Sequence, residues 1–481
     1  MPGTPEPEMG LGKVLPKGYR FRQGLLLVLL AVPRLCLGAG ADQPVKRASM
    51  TAMAAAVCAG SYSPDSSLES RYLADYGWKI TSYTVKDGDT EVHFTLARSG
   101  RPLHGKNWTV LALRGSASKK DWQLNLKTRK VTFPGEKPLA DNKETSGPAV
   151  HQGFLRYARA VLSQPVDVDG DGRPEDLAAF YQSHPKEKLL LTGHSLGGAG
   201  ATLLGSELVE RGVDPSQLPV ITFGAPAVGN GAFARQVGSR LQLERVVTSL
   251  DPVPGALQTF YKGYEQFGRK KEYALSGTYT DYQHPISYYL DLAVKDYYAE
   301  REQAERNGIW QPVPLEKREG KGPLVALVLI SQDHGADTRY SPDLGKFLLD
   351  EYRSLLSRYV VLDYQHRAEG NAPWPQEELR QKARQAGADL LVVTQIDRQR
   401  VGQTDKWSIQ LAQDIVGLHP GGIRVVGAGS TRVRFQQGIL QSTLSLWEEQ
   451  KKILQKVLPE ESRQAPLWIF LREEGNANED H

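Results

Sequence analysis

Gly193, His194, Ser195, Leu196 and Gly197 stand in the spacing G-x-S-x-G, which can raise a serine hydroxyl for attack on a carbonyl carbon. The run "KEKLLL" before it has the character of a short buried strand, and "GGAGATLLGSELVERG" after it has helical periodicity. A strand, a sharp turn and a helix are the context the chemistry needs. Glycine at the flanks lets the strand feed directly into the helix, whose free backbone N–H groups then point toward whatever the serine attacks. Glycine-rich loops produce the same spacing without chemistry, and the chain has 47 glycines. An acyl-transfer serine therefore also requires a base, an orienting acid and oxyanion donors elsewhere in the chain.

In sheet hydrolases the acid and the base follow the nucleophile, in that order, on loops at strand ends. Asp251 ends the apolar run "RVVTSL" and is stiffened by Pro252 and Pro254, while His284 is the first histidine after it and precedes an aromatic-rich helical stretch. His334, His366, His419 and His481 are formal rivals, all lying beyond a polar stretch. For the oxyanion, Gly115 and Ser116 close the strand "WTVLALRG", so the backbone N–H of Ser116 can join that of Leu196. Each position also has a plainer reading as a turn aspartate, a loop histidine or a strand end.

A second cluster has the chemistry of a hard cation. "DVDGDGRPED" from Asp167 places Asp167, Asp169, Asp171 and Gly172 in the order D-x-D-x-D-G, and alternating carboxylates let a loop wrap oxygens around one ion. The twelfth position is Ala178 rather than a bidentate glutamate, which leaves Glu175 or Asp176 to complete the shell. The expectation is a structural Ca2+, against a solvated acidic turn; catalysis itself calls for no cofactor.

The elements that must hold these residues fall into two regions. From 49 to 296 short apolar strands alternate with helical patterns, the signature of a largely parallel sheet covered on both faces. Residues 297–322, rich in charge, Pro and Gly, read as an exposed linker, and 323–460 alternate strand and helix again as a smaller α/β domain. On that reading a chain ending near Arg318 keeps every catalytic candidate. Lys17, Arg20 and Arg22, the apolar run Leu25 to Val32 and the small residues Ala39, Gly40 and Ala41 have the order of a secretory signal spanning 1–41. Its removal takes five basic and two acidic residues, which lowers the net charge from +4 to +1 and leaves no general claim on nucleic acid. Cys58 is then the only cysteine, so no intramolecular disulfide can form.

"RGSASKKDW" at Arg114, "HQGF" at His151, "GHSLGGA" at Gly193, "TFGAPAVGN" at Thr222 and "LDPVP" at Leu250 resemble, in that order, the class 3 lipases typified by fungal triacylglycerol lipases. The resemblance implies an α/β-hydrolase fold, a triad of Ser195, Asp251 and His284, and oxyanion donors at Ser116 and Leu196. It also implies a lid in the stretch after Ser116, with Trp122 and Leu124. Around the histidine only His284 and Tyr288 support the match. The second region resembles the small periplasmic domains of Tol-system proteins and of lipoprotein activators of peptidoglycan synthases, which implies docking to an envelope partner; a stabilising accessory domain is the alternative. Two function classes follow. One is a secreted or periplasmic serine hydrolase acting on lipid esters at a lipid surface, as a triacylglycerol lipase or else a phospholipase A1 or carboxylesterase. The other is a cell-envelope scaffold that keeps the hydrolase fold for binding.

Overall fold

The computed structural model describes residues 42–63, 67–87, 90–100, 107–116, 129–139, 146–260, 263–274, 284–334, 341–364, 375–400, 407–433 and 438–460. The expected signal, 1–41, and the lid residues Trp122 and Leu124 lie outside them. Among the described residues no helix is long and apolar enough to cross a membrane.

The chain begins with α1 (Gln43–Gly60) and α2 (Leu68–Asp75) and then enters the first sheet. Its strands are β1 (Lys79–Asp87), β2 (Thr90–Arg98), β3 (Trp108–Leu113), β6 (Lys188–His194), β7 (Val220–Phe223), β8 (Leu243–Thr248) and β9 (Arg269–Tyr273), side by side in that order. A small hairpin of β4 (Lys130–Thr132) and β5 (Ala149–His151) stands apart. The pairs from β3 to β9 are parallel, whereas β1, β2 and β3 are antiparallel. Parallel strands need crossovers, which here are α3 (Gln152–Leu162), α4 (Leu177–Ser183), α5 (Leu196–Glu210), α6 (Gly231–Gly238) and α7 (Val253–Phe260). This is the α/β-hydrolase arrangement expected from the sequence.

Alternation decides which face each strand residue serves. Leu111, Leu113, Leu189 and Leu191 pack under α3 and α5, while Val110, Ala112 and Leu190 face the opposite side with α1 and the long helix α8 (Ile286–Arg306).

The second sheet runs β10 (Glu316–Lys317), β12 (Tyr359–Val361), β11 (Val325–His334), β13 (Leu390–Arg400), β14 (Trp407–Gly417) and β15 (Arg424–Arg432) in spatial order. Its last three strands pair antiparallel. One face carries α10 (Gln376–Gln385) through Leu379 and Ala383. The other carries α9 (Leu344–Leu355) and α11 (Gly438–Val457), whose Phe347, Tyr352 and Trp447 share one apolar core with Ala54 and Leu290 of the first region.

That shared core changes the expected linker. α8 runs unbroken through Tyr298 to Arg306, and Glu316–Lys317 form the edge strand of the second sheet, so much of 297–322 is folded structure. Of the charges that suggest a tether, Arg301 is instead paired across the seam. Arg301 donates to Asp350 Oδ2 at 2.6 Å, and Glu351, 0% exposed, accepts from Tyr72 and Tyr76 hydroxyls at 2.6 Å and from Trp447 Nε1 at 2.8 Å. The described residues form one compact unit.

Asp291 sits on the same seam, and burial pushes its carboxyl up from 3.8 to about 7. A raised carboxyl pKa means that folding favours the protonated form. Its contribution is whole below about pH 4 and is lost as pH rises through 7. Relative to Asp291→Asn, which cannot titrate, the parent should lose on the order of 1 kcal/mol of stability per pH unit between these limits. Urea unfolding of both chains from pH 4 to 8 measures it; a pH-independent difference would show that the carboxyl does not take up a proton on folding.

Candidate active site

The nucleophile position is built by crowding. Ser195 has φ 58° and ψ −123°, a left-handed conformation that a non-glycine residue holds only where its surroundings impose it. A Cβ at Gly193 would run into the backbone of Gly197, and one at Gly197 would run into Leu113 and Arg114 of the neighbouring strand end. Both glycines are therefore required by the turn between β6 and α5. Ser195 N donates to Phe223 O at 2.9 Å, which ties the turn to the next strand.

His284 and Asp251 meet at this turn although 33 residues separate them. Asp251 follows β8 and opens α7, where its Oδ1 accepts from Val253 N at 2.9 Å. Its Oδ2 accepts from His284 Nδ1–H at 2.8 Å and from the Tyr289 hydroxyl at 2.5 Å. A carboxylate can only accept, so the proton resides on Nδ1, and in the neutral ring Nε2 is left to accept from Ser195 Oγ–H at 2.8 Å. All three side chains are nearly buried, with Ser195 4%, Asp251 8% and His284 9% exposed. A bare imidazole nitrogen facing a serine hydroxyl, with an anion behind the ring, can take the serine proton and hold it.

The histidine backbone is held as well. His194 Nε2–H donates to the His284 carbonyl at 2.6 Å, and this leaves His194 Nδ1 to accept from the Tyr62 hydroxyl at 2.6 Å. Burial, with His284 beside it, keeps His194 well below the usual histidine range and so neutral, as these two bonds require. Tyr289 is held well above the ordinary phenol range by burial and by the Asp251 carboxylate, so it remains a donor. The sequence offers no role for Tyr62 or His194 beyond the middle position of the motif. The aromatic-rich run after His284 signals a helix beside the histidine, and the family match singles out Tyr288, next to the Tyr289 that makes the bond.

The two oxyanion candidates come from a strand end and a helix start. Parallel pairing of β3 with β6 sets Leu113 beside Gly193 and carries Gly115 to the Ser195 side chain, so Ser116 follows directly at the site. Leu196 is the first residue of α5, with an amide that has no helical acceptor four residues earlier. The Ser116 hydroxyl is buried without a partner.

Away from the triad, oxygens of Asp167, Asp169 and Asp171 converge within 4.8 Å of one another. Glu175 and Asp176 do not join them. Asp176 Oδ1 caps α4 by accepting from Ala179 N at 2.9 Å, and the Glu175 backbone is drawn into a bridge with Val166. Lys79 Nζ stands at the same loop, 3.5 Å from Asp167 Oδ2 and 3.1 Å from the Gly170 carbonyl.

Residues 110–260 match the family model for "Lipase (class 3)". A lipase of Rhizomucor miehei is 34% identical over 173 residues, 35% of this chain and 43% of its own length. A lipase of Rhizopus oryzae is 39% identical over 119 residues, 24% of this chain and 28% of its own. Phospholipase A(1) DAD1, chloroplastic, of Arabidopsis thaliana is 32% identical over 160 residues, 32% of this chain and 35% of its own. The chain thus spans less than half the length of these relatives. In its strand order, its serine turn and the matched segment, the chain is similar through residues 110–260 to the class 3 lipase family.

Proposed function

We propose that the protein is a serine ester hydrolase that cleaves acyl esters of lipids through an acyl-enzyme. The observation that carries this is the continuous hydrogen-bond chain from Ser195 Oγ through His284 to Asp251 at 2.8 Å in each link. His284 Nε2 takes the Ser195 proton as Oγ attacks the ester carbonyl carbon. The resulting oxyanion accepts from the N–H groups of Leu196 and Ser116, each donor being worth about 2.7–4 kcal/mol of barrier. The imidazolium, steadied by Asp251, returns the proton to the departing alcohol oxygen. Water then gives a proton to Nε2, attacks the acyl carbon and releases the acid with Ser195 restored.

Names of the relatives support a triacylglycerol or phospholipid acyl ester as substrate. The basic, apolar and small residues in order from Lys17 to Ala41 support action outside the cytoplasm. Release of fatty acid from triacylglycerol emulsions, phospholipid vesicles and nitrophenyl esters, each with Ser195→Ala as control, tests the reading. Equal rates from parent and variant on every substrate would overturn it, and the scaffold reading would take its place.

Calcium at Asp167, Asp169 and Asp171 is a second part of the proposal. The buried, partnerless Asp167 Oδ1 fits a cation, and the ion would be structural, since it belongs to a loop apart from the triad. Saturating calcium should raise the melting temperature by about 3 °C, because an ion held only by the folded loop stabilises by mass action. Asp169→Ala with Asp171→Ala should abolish the shift. Identical melting of the parent with calcium and with chelator would assign the loop to the Lys79 ammonium instead.

A further inference from the structure

α8 touches the triad and the second region at once. Its first turn begins two residues after His284, and Tyr289 reaches Asp251 from one face. Ser287 and Asp291, one turn apart on another face, meet the start of α11. There Asp291 Oδ2 accepts from Ile439 N and Oδ1 from Leu440 N, both at 2.8 Å. Gly438, at φ 69°, allows the contact, since a Cβ there would lie 2.9 Å from Asp291 Oδ2 and from Ser287 Cβ. Fifteen Å further along the helix, by about 1.5 Å of rise for each residue, Arg301 pairs with Asp350 of α9. The second region therefore grips α8 near both ends.

We propose that the second region is a brace for the catalytic site, with Asp291 as a positioning residue whose bonds to α11 fix α8 and thereby the places of Tyr289 and His284. This rests on the triad reading above. A helix packed on both sides does not bend to absorb a lost anchor; it settles in a different packing. A small turn of α8 would draw the Tyr289 hydroxyl off Asp251 and shift the His284 carbonyl from His194. None of the parts that hold the substrate needs to move, so the brace acts on turnover rather than on binding.

The test uses the full chain with Asp291→Ala, which removes both acceptors, and Gly438→Ala, which forces the same contact apart from the α11 side. Asp291→Asn returns one acceptor, and Arg71→Ala breaks only an exposed contact to Glu448. Turnover of a short-chain nitrophenyl ester is counted per serine titrated by a fluorophosphonate, and the His284 Nδ1–H resonance is followed by NMR, independent of any turnover. Asp291→Ala and Gly438→Ala should lower kcat by about tenfold to hundredfold with KM little changed, as expected for a misplacement near 1 Å. They should also move or broaden the His284 Nδ1–H resonance, because its bond to Asp251 Oδ2 is altered. Asp291→Asn should recover most of both, and Arg71→Ala should match the parent. If both alanine variants melt earlier yet keep the parent's kcat per serine and His284 Nδ1–H resonance, the contact is only structural and the brace is refuted. A parent that hydrolyses no ester would refute the function while the NMR arm still decided the brace.

Discussion

Ser195→Ala is expected to lower ester turnover by roughly four to six orders of magnitude and to leave the fold intact. The hydroxyl forms the covalent bond, and no other described group stands at the turn with a base 2.8 Å away. His284→Ala should fall by a similar amount, because without Nε2 the serine keeps its proton. The two losses should not add in the double variant, since the residues act as one unit. Asp251→Asn is expected to cost about 10⁴, as the wrong ring nitrogen then carries the proton. Labelling by a fluorophosphonate should disappear with Ser195→Ala, and circular dichroism should be that of the parent. A Ser195→Ala chain that retained measurable labelling and turnover would place the nucleophile elsewhere.

The second large effect concerns the seam. A chain ending at Arg318 should fail to fold to a stable hydrolase, contrary to what an exposed linker would allow. Cutting there removes α9 and α11 from a core they share with α1 and α8. It also removes Asp350, the buried partner of Arg301. In the full chain Glu351→Leu should act in the same direction. Three buried donors, Tyr72, Tyr76 and Trp447, lose their acceptor at once, at about 1–3 kcal/mol for each group left unpaired. Denaturant unfolding of the variant, and solubility with melting of the truncated chain, measure both effects. A truncated chain that melted cooperatively at the parent's temperature with full activity would show the seam to be dispensable.

The triad was legible in the linear sequence because its chemistry leaves few choices. A nucleophile turn forces glycine at 193 and 197 through local crowding, and the acid and base must follow at strand ends, so Asp251 and His284 could be found by type and order. The sheet was legible for a similar reason, since alternation and apolar runs are local signals. Only the tertiary structure decided which residues hold the triad. Tyr62 and His194 are 132 residues apart, and no periodicity records a hydrogen bond between them. It also decided that the Asp176 carboxylate caps a helix, while Asp167, Asp169 and Asp171 converge on one another. The seam was hidden most completely. Arg301 lies in a stretch that reads as an exposed linker, because charge in a sequence marks exposure unless a partner is known. Here the partner lies on another element, and packing α8 against α9 and α11 is what turns that charge inward.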